Sequence, residues 1–362
     1  MAKNEYAITI NIMKNKITLQ DIADALGISR NTVSRAFNNT GTVSELTRNK
    51  IFQKAAEMGY KQFPILPQLS ETSSKVKSGV VNEIALFTQS FPGNSHFGIK
   101  LLDAFQKKIG EFGYKLSVYI IRDFEIEQLC FPINFNQEHT SGIICLELFS
   151  ESYSNFLCKQ NLPTLFVDTV FNHNDLNLQA DLLYMENQTS VYLMLKELIN
   201  NGYRNISFVG DRFHCQSFYE RWKAYCAVMT DHNIAINLDN NILDDDSSPY
   251  GDVNWLSKRI KTLPVIPSAF FCANDYLAIS TIKALKCINI SVPDDVLICG
   301  FDDAPESIVI EPTITTVRIP SDYMGYIAAD LLMSRISQPN MPYRTTYVKT
   351  NIIYRESTKR IK

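Results

Sequence analysis

Between Ile17 and Tyr60 the apolar positions recur at helical spacing in three short bursts divided by turn signals. Leu19, Ile22, Ala23 and Leu26 fall at i, i+3, i+4 and i+7, with Thr18 as an N-cap candidate and Asp21 completing an approximate capping box. Gly27 supplies the stop. Ser29 is the next N-cap candidate; beyond it Val33, Ala36 and Phe37 point one way, and Arg30, Asn31, Ser34 and Arg35 the other. Ser44 opens a third helix with Ile51, Ala55 and Met58 as its inner stripe and Gly59 as its end. Only Leu26-Gly27-Ile28-Ser29 separates the first two helices, the length and glycine content of a helix-turn-helix corner.

From 61 to 79 the pattern dissolves into Pro64, Pro67, Ser70, Thr72, Ser73, Ser74 and Ser78, which predicts a linker. Beyond Val80, apolar runs alternate with helical stretches, as a βα series requires. The predicted strands are Glu83–Thr88, Lys115–Ile121, Ser141–Leu146, Thr164–Asp168, Asn205–Gly210, Ser268–Ala273 and Val296–Phe301. Several are continuous Val/Ile/Leu/Phe runs, the mark of parallel strands covered by helices on both faces. The predicted helices are Gly98–Phe112, Asn187–Asn201, Phe218–His232, Asp275–Lys286 and Ser321–Ile336. About 280 residues exceed one ordinary doubly wound sheet, so the α/β core is expected to form two lobes.

Composition narrows the function. Of 362 residues 45% are apolar and 20% charged, which excludes wholesale disorder. The longest apolar stretches, such as Ile143–Leu146 and Phe270–Ala273, fall far short of the ~20 residues of a membrane helix. The first sixteen residues offer neither an apolar h-region nor a small-residue cleavage site, which predicts a cytoplasmic protein. Cys130, Cys145, Cys158, Cys215, Cys226, Cys272, Cys287 and Cys299 lie at least eleven residues apart, with no C-x-x-C pair, and are read as buried thiols in a reducing compartment. No metal and no cofactor is expected. The net charge of −3 conceals a split: residues 1–77 carry +5 and residues 78–362 carry −8. That asymmetry confines any nucleic-acid contact to the amino-terminal module.

On the helix opened by Ser29, Arg30, Asn31 and Ser34 lie on the exposed side of the first turn and a half, where a recognition helix meets base edges. Arg suits the two acceptors of guanine and Asn the N6/N7 edge of adenine. Ser29, Thr32, Ser44 and Thr47, at helix starts, suit phosphate. A solvated face on a small helical domain has the same pattern.

The run Ile17-Thr18-Leu19-Gln20-Asp21-Ile22-Ala23, then Gly27-Ile28-Ser29, Thr32-Val33-Ser34-Arg35, Asn38, Val43-Ser44, Thr47-Arg48 and Met58-Gly59-Tyr60, closely resembles the DNA-binding headpiece of the LacI/GalR family of bacterial transcriptional regulators. The likeness continues in Met185-Glu186-Asn187, Arg221-Trp222-Lys223-Ala224-Tyr225, Ala273-Asn274-Asp275, Val292-Pro293-Asp294-Asp295-Val296 and Gly300-Phe301-Asp302-Asp303. It implies a helix-turn-helix headpiece (17–60), a hinge (61–79) and a two-lobed, periplasmic-binding-protein-like core (80–357) that dimerises and binds a small molecule between its lobes. Lobe one would span about 80–185 and 317–341, and lobe two about 186–316 and 342–357. Paired headpieces imply a pseudo-palindromic operator.

Position by position, the resemblance places Gln20, Arg30, Asn31 and Arg35 toward the groove. Ser29, Thr32, Ser34, Asn38, Val43, Ser44 and Thr47 support them, and Leu69 falls at the minor-groove wedge of the hinge. Asp168, Arg221, Asn274 and Asp302 match polar effector ligands, and Ser95, His96 and Phe97 match the loop after the first core strand. Two carboxylates, two donors and a ring suit a polyhydroxylated neutral ligand such as a sugar. Tyr250 or Trp255 is a candidate second ring, and Asp275 and Asp303 suit helix caps as well as ligand.

The chain departs from the family pattern at the hinge, where Gln62 replaces the customary proline and Pro64 and Pro67 interrupt the segment. A helix opened by Pro64 would have Pro67 as its fourth residue, lacking an N–H and clashing with the preceding turn, which predicts a weakened or re-registered hinge helix. The resulting expectation is a ligand-controlled repressor without enzymatic activity. A ligand-dependent activator and a transport solute-binding protein are the alternatives, the latter disfavoured by the headpiece. No nucleophile elbow, H-E-x-x-H or phosphate-binding G-x-x-x-x-G-K supports catalysis.

Overall fold

The computed structural model describes residues 17–38, 43–44, 47–48, 50–51, 54–55, 58, 82–90, 98–171 and 178–359. The chain divides into a small unit, Met1–Val76, and a large one, Lys77–Lys362.

In the small unit α1 (Leu19–Leu26) begins with a complete capping box: the Thr18 hydroxyl accepts from the Asp21 N–H, and the Asp21 carboxylate accepts from the Thr18 N–H at 2.7 Å. It ends at Gly27, whose φ of +63° is a conformation glycine adopts without steric cost. Ser29 accepts from the Thr32 N–H at 3.1 Å and so starts α2 (Arg30–Asn38). Ser44 repeats the device on Thr47 at 3.3 Å, and the described residues between 47 and 55 are helical. Ile22, Ala23, Val33, Ala36, Ile51 and Ala55 form the buried core, the stripes expected from their spacing.

The large unit opens with a sheet in the order β10-β5-β4-β3-β1-β2. Its strands are β1 (Glu83–Thr88), β2 (Lys115–Ile120), β3 (Thr140–Leu146), β4 (Thr164–Val167), β5 (Asp181–Met185) and β10 (Thr345–Val348). All of its pairings are parallel. In β1 every residue is buried: Ile84 and Leu86 enter one apolar cluster, Ala85 and Phe87 another on the opposite face. That alternation explains why the strand reads as a continuous apolar run. Around it lie α3 (Gly98–Glu111), α4 (Asp123–Gln128), α5 (Glu151–Cys158) and α10 (Ser321–Ser337). Helix α10 approaches α3 at Gly325, where a Cβ would stand 2.2 Å from the Leu101 carbonyl oxygen and 2.8 Å from the Ala104 Cβ.

The second sheet is β6-β7-β8, parallel, from β6 (Ile206–Val209), β7 (Ala269–Cys272) and β8 (Leu297–Cys299). Helices α6 (Thr189–Asn200), α7 (Gln216–Asp231), α8 (Val253–Lys261) and α9 (Asp275–Cys287) accompany it. An antiparallel pair, β9 (Thr316–Arg318) with β11 (Asn351–Ile353), adjoins it through bridges from Cys299 to Thr315 and from Asp302 to Arg318.

The chain passes between the sheets three times, and two boundaries differ from expectation. Residues 345–348, assigned to lobe two, are β10 and pair with β5 of the first sheet, because Arg344 is tied to Asp181 and Leu182 donates to the Arg344 carbonyl at 2.8 Å. Residues 317–318, assigned to lobe one, belong to β9 beside the second sheet. Two of the three passages are tied directly: Thr350 Oγ1 donates to the Glu186 carbonyl at 2.8 Å and lies 2.9 Å from the Ser190 hydroxyl.

Of the thiols, Cys145, Cys215, Cys272 and Cys299 are buried as expected; Cys130, Cys158 and Cys226 are half-buried and Cys287 is exposed, so the blanket reading of buried thiols is corrected. Cys287 is the last residue of α9, where the apolar stripe has already turned away. Among the described residues no helix is long and apolar enough to cross a membrane.

Candidate functional site

Helix α2 separates its two faces as its periodicity predicts. Val33 and Ala36 are buried, Arg30, Asn31 and Arg35 are exposed, and Thr32 and Ser34 are half-buried. No acidic side chain lies in the first turn, so the face is basic. Ser29 and Thr32 face each other 2.8 Å apart across the helix start, as do Ser44 and Thr47, and both pairs surround backbone N–H groups suited to an anion. Gln20 is exposed on α1, with its amide nitrogen donating to Asp24 at 2.7 Å. Val43 packs partly on the core, and Asn38 ends α2. The hinge features at Gln62, Pro64, Pro67 and Leu69 lie outside the described residues.

In the large unit the expected ligand residues gather where the two sheets face each other, but in two layers. Asp168 follows β4 in a left-handed conformation (φ +59°), is 5% exposed, and accepts from the Thr169 N–H at 2.8 Å and the Ser217 N–H, on α7, at 3.3 Å. Burial raises its pKa above the ordinary value against those hydrogen bonds. Arg221, 2% exposed, donates from Nε to Asn187 Oδ1 at 3.0 Å and from Nη1 to the Ala273 carbonyl at 2.7 Å. Its Nη2 lies 3.7 Å from Asp302, and its guanidinium sits 3.6 Å from the centre of the Phe301 ring. These residues form a buried layer.

In front of it opens a cavity of about 310 Å³ lined by Asp211, His214, Phe218, Asp246, Tyr250, Asn274 and Tyr276 among others. Its walls follow the carboxyl ends of β6 and β7, the usual ligand position in open α/β sheets. Asn274 belongs to both layers: its side chain lines the cavity while Oδ1 accepts from the Leu277 N–H at 2.9 Å and caps α9. Of the two candidate rings Tyr250 lines the cavity, and Trp255 stands edge-on behind it at 5.4 Å. Asp275 and Asp303 serve structure: Asp275 accepts from the Ala304 N–H and the Thr316 hydroxyl, and Asp303 pairs with Arg318 and Arg355. Ser95, His96 and Phe97 lie outside the described residues.

Several participants were not singled out from sequence. His214 pairs with Asp246 at 2.6 Å and meets Phe149, from the loop after β3 of the first sheet, at 5.0 Å between ring centres. Burial alone would lower the His214 pKa; the hydrogen bond and charge of Asp246, with Asp168 and Asp211 nearby, outweigh it and hold the ring above its ordinary value. Asn187 also donates to Glu220 at 2.8 Å, and Glu220 accepts from the Tyr347 hydroxyl, on β10, at 2.7 Å. A continuous polar chain thus runs from Asp302 through Arg221, Asn187 and Glu220 to Tyr347, linking the second lobe to the edge of the first. Tyr347→Phe should therefore lower unfolding stability by about 1.5–3 kcal/mol, the range for a hydrogen bond to a charged group. Urea unfolding measures it, and an unchanged midpoint would show that the bond contributes nothing.

A helix-turn-helix module on a two-lobed, periplasmic-binding-protein-like core defines the class. The chain matches the model of bacterial regulatory proteins of the lacI family over residues 18–62 and that of the periplasmic binding protein-like domain over 195–358. It is 26% identical over 349 residues to the "Probable HTH-type transcriptional repressor ExuR" of Bacillus subtilis (strain 168), covering 95% of this chain and 99% of the relative. It is 24% identical to the HTH-type transcriptional repressor PurR of Vibrio campbellii, again over 95% of this chain and 99% of the relative. Among solved structures, the transcriptional regulator CelR–cellobiose complex superimposes with a TM-score of 0.66 at 21% identity, covering 94% of this chain and 99% of that one. The lac repressor dimer bound to operator and the anti-inducer ONPF gives 0.64 at 19%, covering 95% and 99%. The chain belongs to the LacI family of bacterial regulatory proteins.

Proposed function

We propose that the protein is a cytoplasmic transcriptional repressor that reads operator DNA with α2 and is switched by a small ligand bound between its lobes. The observation that carries this reading is the segregation of α2: Arg30, Asn31 and Arg35 stand exposed on a helix whose opposite face builds the core of its module. Gln20 completes the reading face, while Ser29, Thr32, Ser34, Asn38, Val43, Ser44 and Thr47 supply phosphate contacts and support. Two copies reading two half-sites make the operator a pseudo-palindrome and the working unit a homodimer.

The ligand is a sugar or sugar derivative, bound without turnover. Support comes from the cavity at the carboxyl ends of β6 and β7 and from solved neighbours, the CelR–cellobiose complex and a LacI family transcriptional regulator from Enterococcus faecium with bound ribose. Asp168, Arg221, Asn274 and Asp302, with Ser95, His96 and Phe97 from the first lobe, shape the ligand site. Closure of the lobes changes operator affinity by a coupling of about 1–3 kcal/mol.

Selection of bound fragments from a randomised duplex pool tests the reading. A pseudo-palindromic consensus is expected, and Arg30→Ala or Asn31→Ala should relax base choice at one position per half-site, at about 1–3 kcal/mol each. A uniform loss of affinity across all sequences would move the reading face elsewhere.

A further inference from the structure

Among the described residues, the wall of the 310 Å³ cavity carries two carboxylates, Asp211 and Asp246, and a single side chain able to bear positive charge, His214, which Asp246 already holds at 2.6 Å. Guanidiniums around it are engaged elsewhere, Arg259 with Asp244 at 2.9 Å among them. Arg221 is buried behind the wall, with two of its nitrogens donating to Asn187 and Ala273, the third near Asp302, and its plane on Phe301. Arg212, next in sequence to Asp211, lays its guanidinium on Phe213 and Trp222 instead. The rings of Phe218, Tyr250 and Tyr276 make up much of the remaining wall.

A carboxylate or phosphate on a ligand would meet, among the described residues, one cation only, His214, which is already paired with Asp246, and would face the Asp211 and Asp246 carboxylates. An ammonium group meets the opposite situation: carboxylate acceptors together with aromatic faces, which attract cations through the ring quadrupole. We propose that the effector of this regulator is an amine-bearing sugar whose ammonium group lies between Asp211 and Asp246, and that anionic sugars are rejected there. The proposal rests on the effector reading above and narrows it to one ligand class. The Asp211 carboxyl accepts from the Phe213 N–H at 2.8 Å, and burial with the neighbouring charge of Asp246 raises its pKa against that bond and the charge of His214.

Calorimetric titration of the full-length protein with glucosamine, glucose and glucuronate, and with the same triads of the galacto and manno series, tests it, paired with operator-release assays. An amino member is expected to bind at least about tenfold more tightly than its neutral counterpart, with the uronate weakest, as a charge-assisted hydrogen bond implies. Asp211→Asn and Asp246→Asn should each collapse that ratio toward one, their unfolding midpoints confirming that they are folded. In the unaltered protein the ratio should also fall as salt is raised, because the pocket mouth is open to solvent. A neutral or anionic member that binds more tightly than the amino one and releases operator overturns the ammonium assignment while leaving ligand control intact. Silence of the whole panel in both assays overturns the assignment and the sugar reading together. A preference for the amine that survives both substitutions removes Asp211 and Asp246 from it.

Discussion

Arg221→Ala is expected to abolish the ligand response and to destabilise the core by about 2–5 kcal/mol, because it orphans buried partners rather than merely deleting a ligand contact. Asn187 Oδ1 would lose its donor at 3.0 Å and the Ala273 carbonyl its donor at 2.7 Å; Asp302, 10% exposed, would lose its nearest cation. The same side chain is the central link of the polar chain that ends at Tyr347 on β10, so cleft geometry and lobe placement fail together. Urea unfolding with operator titrations in the presence and absence of ligand separates the two effects. Operator affinity without ligand should stay close to that of the unaltered protein, provided the titration is run well below the variant's unfolding midpoint. Wild-type stability together with a retained response would remove Arg221 from both roles.

Asp181→Ala should be still more damaging to stability, at about 3–5 kcal/mol, the cost of removing one partner of a buried ion pair. Asp181 is fully buried at the start of β5 and pairs with Arg335 of α10 at 3.0 Å and with Arg344, before β10, at 3.1 Å. Arg335 in turn donates to the carbonyls of Pro339, Met341 and Pro342, closing the turn that leads from α10 to β10. Without the carboxylate, a guanidinium 4% exposed is left uncompensated. The pH dependence has a defined sign. Burial alone would raise the Asp181 pKa, but the hydrogen bonds from Arg335 and Arg344 outweigh it and hold it below the ordinary value. Its contribution is therefore fully present above the unfolded value of about 4 and is lost as pH falls through the depressed folded value. The gap in unfolding temperature between the unaltered protein and Asp181→Asn should be constant from neutrality down to about pH 5 and shrink below about pH 4. A gap independent of pH down to about 2 would show that the carboxylate charge is not what binds the two arginines.

Much of the fold was legible because its determinants are short-range. Thr18 with Asp21, Ser29 with Thr32 and Ser44 with Thr47 are all three residues apart, and all act as caps where the spacing placed them. The seven apolar strands occur within two residues of their expected ends, since unbroken runs such as Glu83–Thr88 are buried on both faces. What escaped is equally instructive. Strand β5 opens on Asp181, whose burial depends on arginines far along the chain, and β10 alternates exposed with half-buried residues at a sheet edge. Helices α4, α5 and α8 are short, although Ser150 and Asp252 carry N-cap signals that mark the last two.

For the site, the direction in which helical side chains face was readable and the membership of the cavity wall was not. Arg30, Asn31 and Arg35 are exposed as expected because helical periodicity alone decides which way they face. Arg221, matched to a ligand contact, sits instead behind the cavity, and the walls at Asp211, His214 and Asp246 carry no motif at all.

The local pattern of caps, turns and apolar periods by itself determined the helix-turn-helix module, the α/β alternation and the basic face of α2. Tertiary structure alone decided which buried polar groups meet: Ser217 reaches Asp168 across 49 residues, Tyr347 reaches Glu220 across 127, and Arg335 reaches Asp181 across 154. Such pairs have no sequence period, because what unites them is the need of each buried polar group for a partner, and only the packed chain brings that partner within reach.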